Sequence, residues 1–234
     1  MNRRVLIVGA SRGLGLCFAK QYLSQNDIVY MGVRDASCAA VTALQAEYGE
    51  KVIAVPIEVR STESVTAAAD NVGKTTDYLD VVICNAAIHS PTSFLPIEET
   101  NLDECLDVMD VNAVGPMRVA KAFLRFLRAD RGARIINITS ESGSVGICER
   151  DRQFGYCMSK SALNMGSKLL QNLLAPNGIK VLLVHPGWMR TDMGGSNAFF
   201  DPMDSAAKLL AVFDRFAAVD APMFVDFDGE ELPW

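Results

Sequence analysis

Tyr156 and Lys160 have the residue types and the spacing that acid–base chemistry requires. They lie four positions apart, so a helix would place both side chains on one face, about one turn apart. An ordinary tyrosine titrates near ~10, and a neighbouring ammonium group favours its ionised form. We therefore expect Lys160 to lower the pKa of Tyr156 toward the range in which a phenol exchanges protons at neutral pH. Because such pairs also occur by chance on exposed helices, the interpretation depends on what accompanies this one.

A glycine-rich segment accompanies the pair at the start of the chain. Gly9, Gly13 and Gly15 follow the apolar run 5–8 and precede a helical pattern. Glycines at such a position permit a tight turn and close backbone approach, and a helix N-terminus offers free N–H groups to a pyrophosphate. This position, between the first strand and the first helix, predicts a dinucleotide site. Together with Tyr156 and Lys160 it predicts hydride transfer.

The residues after the second predicted strand indicate which dinucleotide binds. An NAD site normally presents a carboxylate at the end of this strand, but here Val33 is followed by Arg34. Arg34 and Arg12 are candidates for charge-assisted contacts with a 2′-phosphate. Asp35 fits the start of the next turn or helix better. The alternative for both arginines is an exposed position in solvent, but the pattern favours NADP(H) over NAD(H).

Two further polar residues are candidates for the reaction centre. Asn112 lies in a helical stretch just before Gly115-Pro116, where its amide would serve as a hydrogen-bonding hub. Ser140 follows the predicted strand 134–138, at the carboxyl end where such folds bind ligands. Ser142 competes with Ser140 for the same role, because loop serines commonly form turns.

The elements that must position these residues alternate regularly along the chain. Apolar runs rich in Val and Ile predict buried strands at 5–8, 28–33, 52–57, 81–84, 134–138, 180–184 and 223–226. Helical patterns occupy 14–24, 36–48, 62–73, 103–129, 154–174 and 205–217. This alternation predicts one α/β domain over residues 1–234, a Rossmann-type, doubly wound parallel sheet of about seven strands with helices on both faces.

Composition excludes several other classes of protein. The net charge of −6 gives no basic surface for nucleic acid or an anionic membrane. No apolar stretch approaches the length of a membrane span, and the run 5–8 is too short for a signal peptide. Six scattered cysteines without a Cys-x-x-Cys pair predict reduced thiols and no metal site. We expect a cytoplasmic protein.

These motifs resemble the short-chain dehydrogenase/reductase family over essentially the whole chain. The resemblance is strongest to the subgroup of sniffer carbonyl reductases and bacterial C-factor proteins. It is carried by the segments 111–116, 159–164, 185–195 and 228–234 and by the spacing from Ser140 to Tyr156. Departures from the family pattern lie away from the reacting centre, with Ala87 in place of a usual glycine and Glu58 in place of a usual aspartate.

The resemblance implies a role for each matching residue. Tyr156 would be the general acid/base, Ser140 would polarise the carbonyl, Lys160 would hold the nicotinamide ribose and lower the pKa of Tyr156, and Asn112 would anchor a water. The implied cofactor-binding residues are Gly9, Ser11, Arg12, Gly13, Leu14, Gly15, Arg34, Glu58, Val59, Asn85, Ala86, Tyr156, Lys160, Pro186, Gly187, Met189 and Thr191.

The predicted activity is NADP(H)-dependent interconversion of a carbonyl and an alcohol on a small, fairly apolar substrate. The alternative is a nucleotide-binding signalling or regulatory protein of C-factor type. The segments 88–96, 145–154 and 193–203 are expected to shape the substrate site, the last as a lid. Within them, His89 is interpreted as a polar loop residue and Arg150 as a solvated charge, whereas His185 is expected to be structural. The family implies a homodimer or homotetramer.

Overall fold

The computed structural model describes residues 2–234, and the described strands all belong to one sheet. They are β1 (Arg4–Val8), β2 (Ile28–Val33), β3 (Val52–Pro56), β4 (Val81–Cys84), β5 (Arg134–Ile138), β6 (Lys180–Val184) and β7 (Phe224–Val225). Their order is β3-β2-β1-β4-β5-β6-β7, and every pairing is parallel. The predicted α/β fold with a doubly wound parallel sheet is confirmed.

Helices connect the strands and cover both faces of the sheet. They are α1 (Gly13–Ser24), α2 (Ala39–Tyr48), α3 (Thr62–Gly73), α4 (Glu104–Met109), α5 (Gly115–Phe123), α6 (Phe154–Leu174) and α7 (Pro202–Arg215). One apolar cluster joins the sheet to α1, α2 and α7, for example through Phe18 and Phe213. A second joins its other face to α3, α5 and α6 through residues such as Val65 and Phe123. Because both faces of the sheet are buried, its strands appear in the sequence as continuous apolar runs.

The order of the strands reverses beside β1, and this reversal fixes where a ligand binds. From β1 the chain moves outward to β2 and β3, and then returns to place β4 on the other side of β1. Loops that leave β1 and β4 therefore diverge at the carboxyl ends of these strands. In open parallel sheets a crevice forms at this point, so the glycine loop after β1 lies at its edge.

The predicted single helix 103–129 is wrong, because a π-helical segment, Asp110–Val114, separates α4 from α5. Pro116 has no N–H to donate to the carbonyl of residue 112, and its ring excludes that carbonyl from the regular pattern. The wider π turn accommodates both constraints. The chain then leaves the helix at Phe123, because Leu127 pairs with Leu79 as an extended residue.

Other boundaries differ by only a few residues. The helix α2 begins at Ala39 rather than at residue 36, because Asp35 accepts hydrogen bonds from Ser37 and forms a turn. The helix α7 begins at Pro202 rather than at residue 205, where the Asp201 carboxylate caps its first turn. In the described part of the chain, no helix is both long enough and apolar enough to cross a bilayer.

Candidate active site

The glycine loop after β1 is held in a tight conformation that only glycine tolerates at two positions. Gly9 has φ +87°, and a Cβ atom there would lie 2.8 Å from the Ala86 backbone. A Cβ atom on Gly15 would lie 2.1 Å from the Gly9 carbonyl oxygen. The Asn85 side-chain amide donates to that same carbonyl at 3.0 Å. Asn85 therefore braces the loop, and Gly15 allows α1 to start directly against it.

The N-terminus of α1 lies at the crevice, because Gly13 and Leu14 of its first turn line it. Its cap residue, Arg12, is extended and provides no side-chain hydrogen bond to the first turn. Helix dipoles and unpaired N–H groups of this kind bind phosphate. The Arg12 guanidinium forms an exposed ion pair with Asp192, with 2.6 Å between Nη1 and Oδ2. This pair joins the glycine loop to the chain that follows β6.

The crevice is a cavity of about 780 Å³ that runs from the glycine loop to Tyr156. A volume of this size falls within the range of ligand-binding clefts. The predicted site residues that line it are Gly9, Ser11, Arg12, Gly13, Leu14, Arg34, Glu58, Val59, Asn85, Ala86, Ser140, Tyr156, Lys160, Pro186, Gly187, Met189 and Thr191. Gly15 and Asn112 lie behind the walls, and Asp35 is outside the lining, where its carboxylate accepts hydrogen bonds from Ser37. Arg60 lines the same end of the cleft as Arg12 and Arg34 but carried no sequence signal.

Tyr156 and Lys160 lie on one face of α6 at the inner end of the cleft, as their spacing predicts. The Lys160 ammonium is 5.5 Å from the centre of the Tyr156 ring and donates to the Ile138 carbonyl at 2.9 Å. Burial lowers the pKa of Lys160 to about 8 and raises the pKa of Tyr156 to about 12, where Ser140 acts against the rise and the Glu141 charge adds to it. The expectation that Lys160 brings the pKa of Tyr156 below its ordinary value is therefore wrong for the protein alone. Burial removes water from the phenolate and is the largest influence on this pKa.

The loop that carries Ser140 is fixed directly on α6. The Thr139 hydroxyl donates to Asn164 at 2.7 Å, and the Asn164 amide and the Ser161 hydroxyl both donate to the Gly143 carbonyl. A Cβ atom on Gly143 would lie 2.8 Å from the Lys160 backbone, so a larger residue would push the loop off the helix. These contacts bring Ser140 into the same wall as Tyr156, although sixteen residues separate them in the chain.

Asn112 occupies the π-helical segment and has its amide group fully engaged. Its Oδ1 accepts from the Ile88 N–H at 2.8 Å, and its Nδ2 donates to the Ile88 carbonyl at 2.9 Å and to the Ser159 hydroxyl at 3.1 Å. The side chain is buried. Asn112 therefore ties the loop after β4 to α6, and its role in anchoring a water stays a prediction.

Sequence reasoning undervalued several residues that the fold brings to the reaction end of the cleft. His89 stacks on Tyr156 with 4.1 Å between ring centres, and burial lowers the pKa of His89 to about 4, so the ring is neutral. Arg150 is exposed to solvent, as expected, but it also pairs with Glu141 and donates to Gln153. His185 lies 3.0 Å from the same Glu141 carboxylate. These residues come from the three loops that follow β4, β5 and β6, so no local spacing signals their association.

Aromatic side chains close the outer side of this end of the cleft. Trp188 donates from its indole N–H to the Gly194 carbonyl at 2.8 Å and packs edge-on against Phe199. Trp188, Met193 and Gly194 line the cleft, whereas Phe199 is largely exposed. The predicted lid segment 193–203 overlaps the first two residues of α7. It thus ends on a capped helix and begins beside the cleft.

Comparison with known proteins agrees with this geometry. The family model described as short chain dehydrogenase matches residues 3–199. C-signal of Myxococcus xanthus is 34% identical over 156 residues, which span 67% of this chain and 93% of C-signal. The crystal structure of an NADPH-bound carbonyl reductase from chicken fatty liver is 30% identical with a TM-score of 0.90, covering 100% of this chain and 99% of that one. The carbonyl reductase Sniffer of D. melanogaster is 29% identical with a TM-score of 0.91, covering both chains completely.

Proposed function

The chain belongs to the short-chain dehydrogenase family, and from this premise we propose that it is an NADP(H)-dependent oxidoreductase that interconverts a carbonyl and an alcohol on a small, fairly apolar substrate. One observation carries the proposal. Tyr156, Ser140 and Lys160 meet at one end of a continuous cleft, and the glycine loop with the free N-terminus of α1 forms its other end. A dinucleotide laid along this cleft would bring its reactive end to the tyrosine.

The residues at the outer end of the cleft fit NADPH better than NADH. Arg12 and Arg34 both line it, whereas a carboxylate at this end would select the free ribose hydroxyl of NADH. We assign the pyrophosphate to the N-terminus of α1, the ribose beside the nicotinamide to Lys160, and the carboxamide to Thr191. When bound, the cofactor supplies the hydride. Solved relatives with bound NADPH or NADP support the choice of cofactor.

Tyr156 is assigned as the proton donor for carbonyl reduction. Its raised pKa keeps the phenol protonated at neutral pH, so the proton is available as charge develops on the substrate oxygen. The phenol O–H bond breaks, the proton passes to that oxygen, and the resulting phenolate is stabilised by the Lys160 ammonium on the same helix face. In the oxidation direction the phenolate accepts the proton of the alcohol.

The other polar residues orient the reaction. Ser140 is assigned to donate its hydroxyl hydrogen to the carbonyl oxygen and so to stabilise negative charge there. Asn112 is assigned to hold the loop at Ile88 through its two amide contacts. His89, Phe94, Trp188 and Met193 surround the remaining space, which favours a mainly apolar substrate. We further propose that the segment 193–203 closes over it.

The variant Tyr156→Phe tests the assignment. It removes one oxygen from a half-buried ring, so NADPH should bind as before, whereas loss of a general acid lowers turnover by roughly 10²- to 10⁴-fold. We would follow NADPH oxidation with a panel of aromatic aldehydes and quinones, and NADPH binding by nicotinamide fluorescence. Turnover that survives the substitution would reject the role of Tyr156, and wild-type protein that binds neither NADPH nor NADH would reject the oxidoreductase function.

A signalling function of the C-signal type is the second candidate, supported by the similarity to C-signal. In that case a biological effect of the protein would persist in Tyr156→Phe, although redox turnover is lost. We also propose self-association. Leu106 of α4 and Met165, Leu169 and Leu173 of α6 are each at least 61% exposed, and the last three follow the i, i+4 spacing of one helix face. Burial of such a face in a second copy is favourable.

A further inference from the structure

The Glu141 carboxylate lies directly behind Ser140 and contacts three side chains of the reaction centre. Its Oε2 accepts from the Ser140 hydroxyl at 2.6 Å and lies 3.0 Å from His185 Nδ1. Its Oε1 accepts from the Arg150 guanidinium. Partial burial acts to raise the pKa of Glu141, but His185, Ser140 and Arg150 outweigh it and lower the pKa to about 2. The carboxylate is therefore ionised at neutral pH.

This arrangement determines where the single hydrogen of Ser140 points. A serine hydroxyl has one hydrogen and two lone pairs. One lone pair accepts from the Ser142 N–H at 3.1 Å. Two acceptors compete for the hydrogen, namely Glu141 Oε2 at 2.6 Å and the Ser142 hydroxyl oxygen at 3.0 Å. The ionised carboxylate is both nearer and charged, so it binds the hydrogen. The hydrogen of Ser140 is therefore directed away from Tyr156, which lines the same end of the cleft.

We propose that Glu141 is a positioning residue, which binds the hydroxyl hydrogen of Ser140 and so withholds that hydrogen from the Tyr156 hydroxyl. The inference rests on the proposed function, in which Tyr156 and Ser140 act on the substrate oxygen. A carbonyl ligand must then draw the hydrogen of Ser140 away from Glu141 before Ser140 polarises it. Only hydrogen bonds change in this step, and no proton leaves an oxygen.

The surroundings of Tyr156 determine what a change at Glu141 does to its ionisation. The titratable and charged groups that face Tyr156 are Glu141, Arg150, Cys157, Lys160 and His89. His89 is neutral above pH about 4. A phenolate is stabilised by a hydrogen that points at it and by the absence of a neighbouring negative charge. Loss of the Glu141 carboxylate provides both, so the pKa of Tyr156 should fall.

The test is the titration of Tyr156 in the full-length protein labelled with 3-fluorotyrosine. The chain has five tyrosines, and Tyr156→Phe identifies the ¹⁹F signal of Tyr156. Because the fluorinated ring has a lower pKa than tyrosine, it titrates at a pH where the protein is still folded. Circular dichroism would verify that the fold persists at this pH. We expect Glu141→Gln to lower the pKa of this residue by about one unit. Glu149→Gln, which removes an equal charge from an exposed position of the neighbouring loop, should change it by much less.

Two further variants separate positioning from charge. Glu141→Asp keeps the charge but withdraws it from Ser140, and we expect it also to lower the pKa of Tyr156. In a Ser140→Ala background, Glu141→Gln should shift the pKa by less than half as much, because no hydrogen remains to be redirected. An equal shift with and without Ser140, an unchanged pKa in Glu141→Asp, or equal shifts in Glu141→Gln and Glu149→Gln would each overturn the proposal.

The titration needs neither substrate nor NADPH, so its outcome is independent of the proposed function. If the protein reduces no carbonyl but shows the predicted pKa shifts, the role of Glu141 stands and the reductase function is wrong. If the protein is a working reductase without these shifts, the reductase function stands and the role of Glu141 is wrong.

Discussion

Asp192→Asn should strengthen the binding of NADPH and leave the binding of NADH unchanged. In the protein alone, the Asp192 carboxylate pairs with Arg12, one of the two arginines assigned to the 2′-phosphate. That phosphate must compete with Asp192 for the guanidinium, and it also approaches a like charge. The substitution removes the competitor and keeps the size and polarity of the side chain. NADH has no 2′-phosphate, so it gains nothing from a free Arg12.

The magnitude follows from the exposure of the pair. Although Arg12 Nη1 and Asp192 Oδ2 are only 2.6 Å apart, their side chains are 72% and 73% exposed. Exposed pairs of this kind contribute about 0.2–1 kcal/mol, because water screens the attraction. Releasing Arg12 should therefore lower the Kd of NADPH by about 1.4- to 5-fold. Added salt should reduce the gain, since screening weakens the pair that the substitution removes.

The assay is a fluorescence titration of the bound nicotinamide at low and high salt. Asp77→Asn is the matched control, because Asp77 also forms an exposed 2.6 Å ion pair, with Arg128, but lies outside the cleft. It should alter neither Kd. An equal gain for NADPH and NADH, or an equal gain in the control, would refute the assignment of Arg12 to the 2′-phosphate.

Two predictions concern the buried lysine and the exposed face of α6. Burial lowers the pKa of Lys160 from 10.5 to about 8, so between these values the unfolded chain binds more protons and wild-type stability rises with pH. At pH 7 we expect Lys160→Met to have a larger free energy of unfolding than the wild type, and urea unfolding should show this difference shrink by about 2 kcal/mol from pH 7 to 9.5. A difference that stays constant with pH would show that Lys160 is not charged and buried at neutral pH. Light scattering should show an oligomer that Leu169→Glu dissociates and Lys168→Glu, at the adjacent exposed position, does not; a monomeric wild type would contradict the proposed self-association.

The sequence predicted the sheet well because its strands are buried on both faces. The bounds of β2, β4, β5 and β6, and those of α3 and α6, match the predicted ranges residue for residue. The π-helical interruption between α4 and α5 could not be predicted from the hydrophobic pattern of residues 103–129. The Asn112 amide was predicted to be a hydrogen-bonding hub, but its partner Ile88 lies twenty-four residues away. Local periodicity carries no information about a contact of that separation.

The candidate site was predictable where a motif is contiguous and was missed where it assembles through space. The glycine loop and the Tyr156–Lys160 pair are short motifs. Glu141, Arg150 and His185 meet only because the loops that follow β5 and β6 converge at the carboxyl ends of the strands. The direction in which the pKa of Tyr156 changes was also missed. The spacing of the two residues shows the neighbouring cation but not the burial that raises this pKa.

The π-helical segment Asp110–Val114 amounts to an α-helix with one residue inserted. Deleting a residue there would return the segment to α-helical spacing, but it would also bring back the clash between the Pro116 ring and the carbonyl four residues before it. Because each residue of an α-helix turns the chain by about 100°, the deletion would also rotate α4 against α5 and carry Asn112 away from Ile88. A shorter chain would thus have a helix strained at Pro116 and an unsupported loop after β4. Removing the extra residue would therefore break the contact between this helix and the loop that lines the cleft.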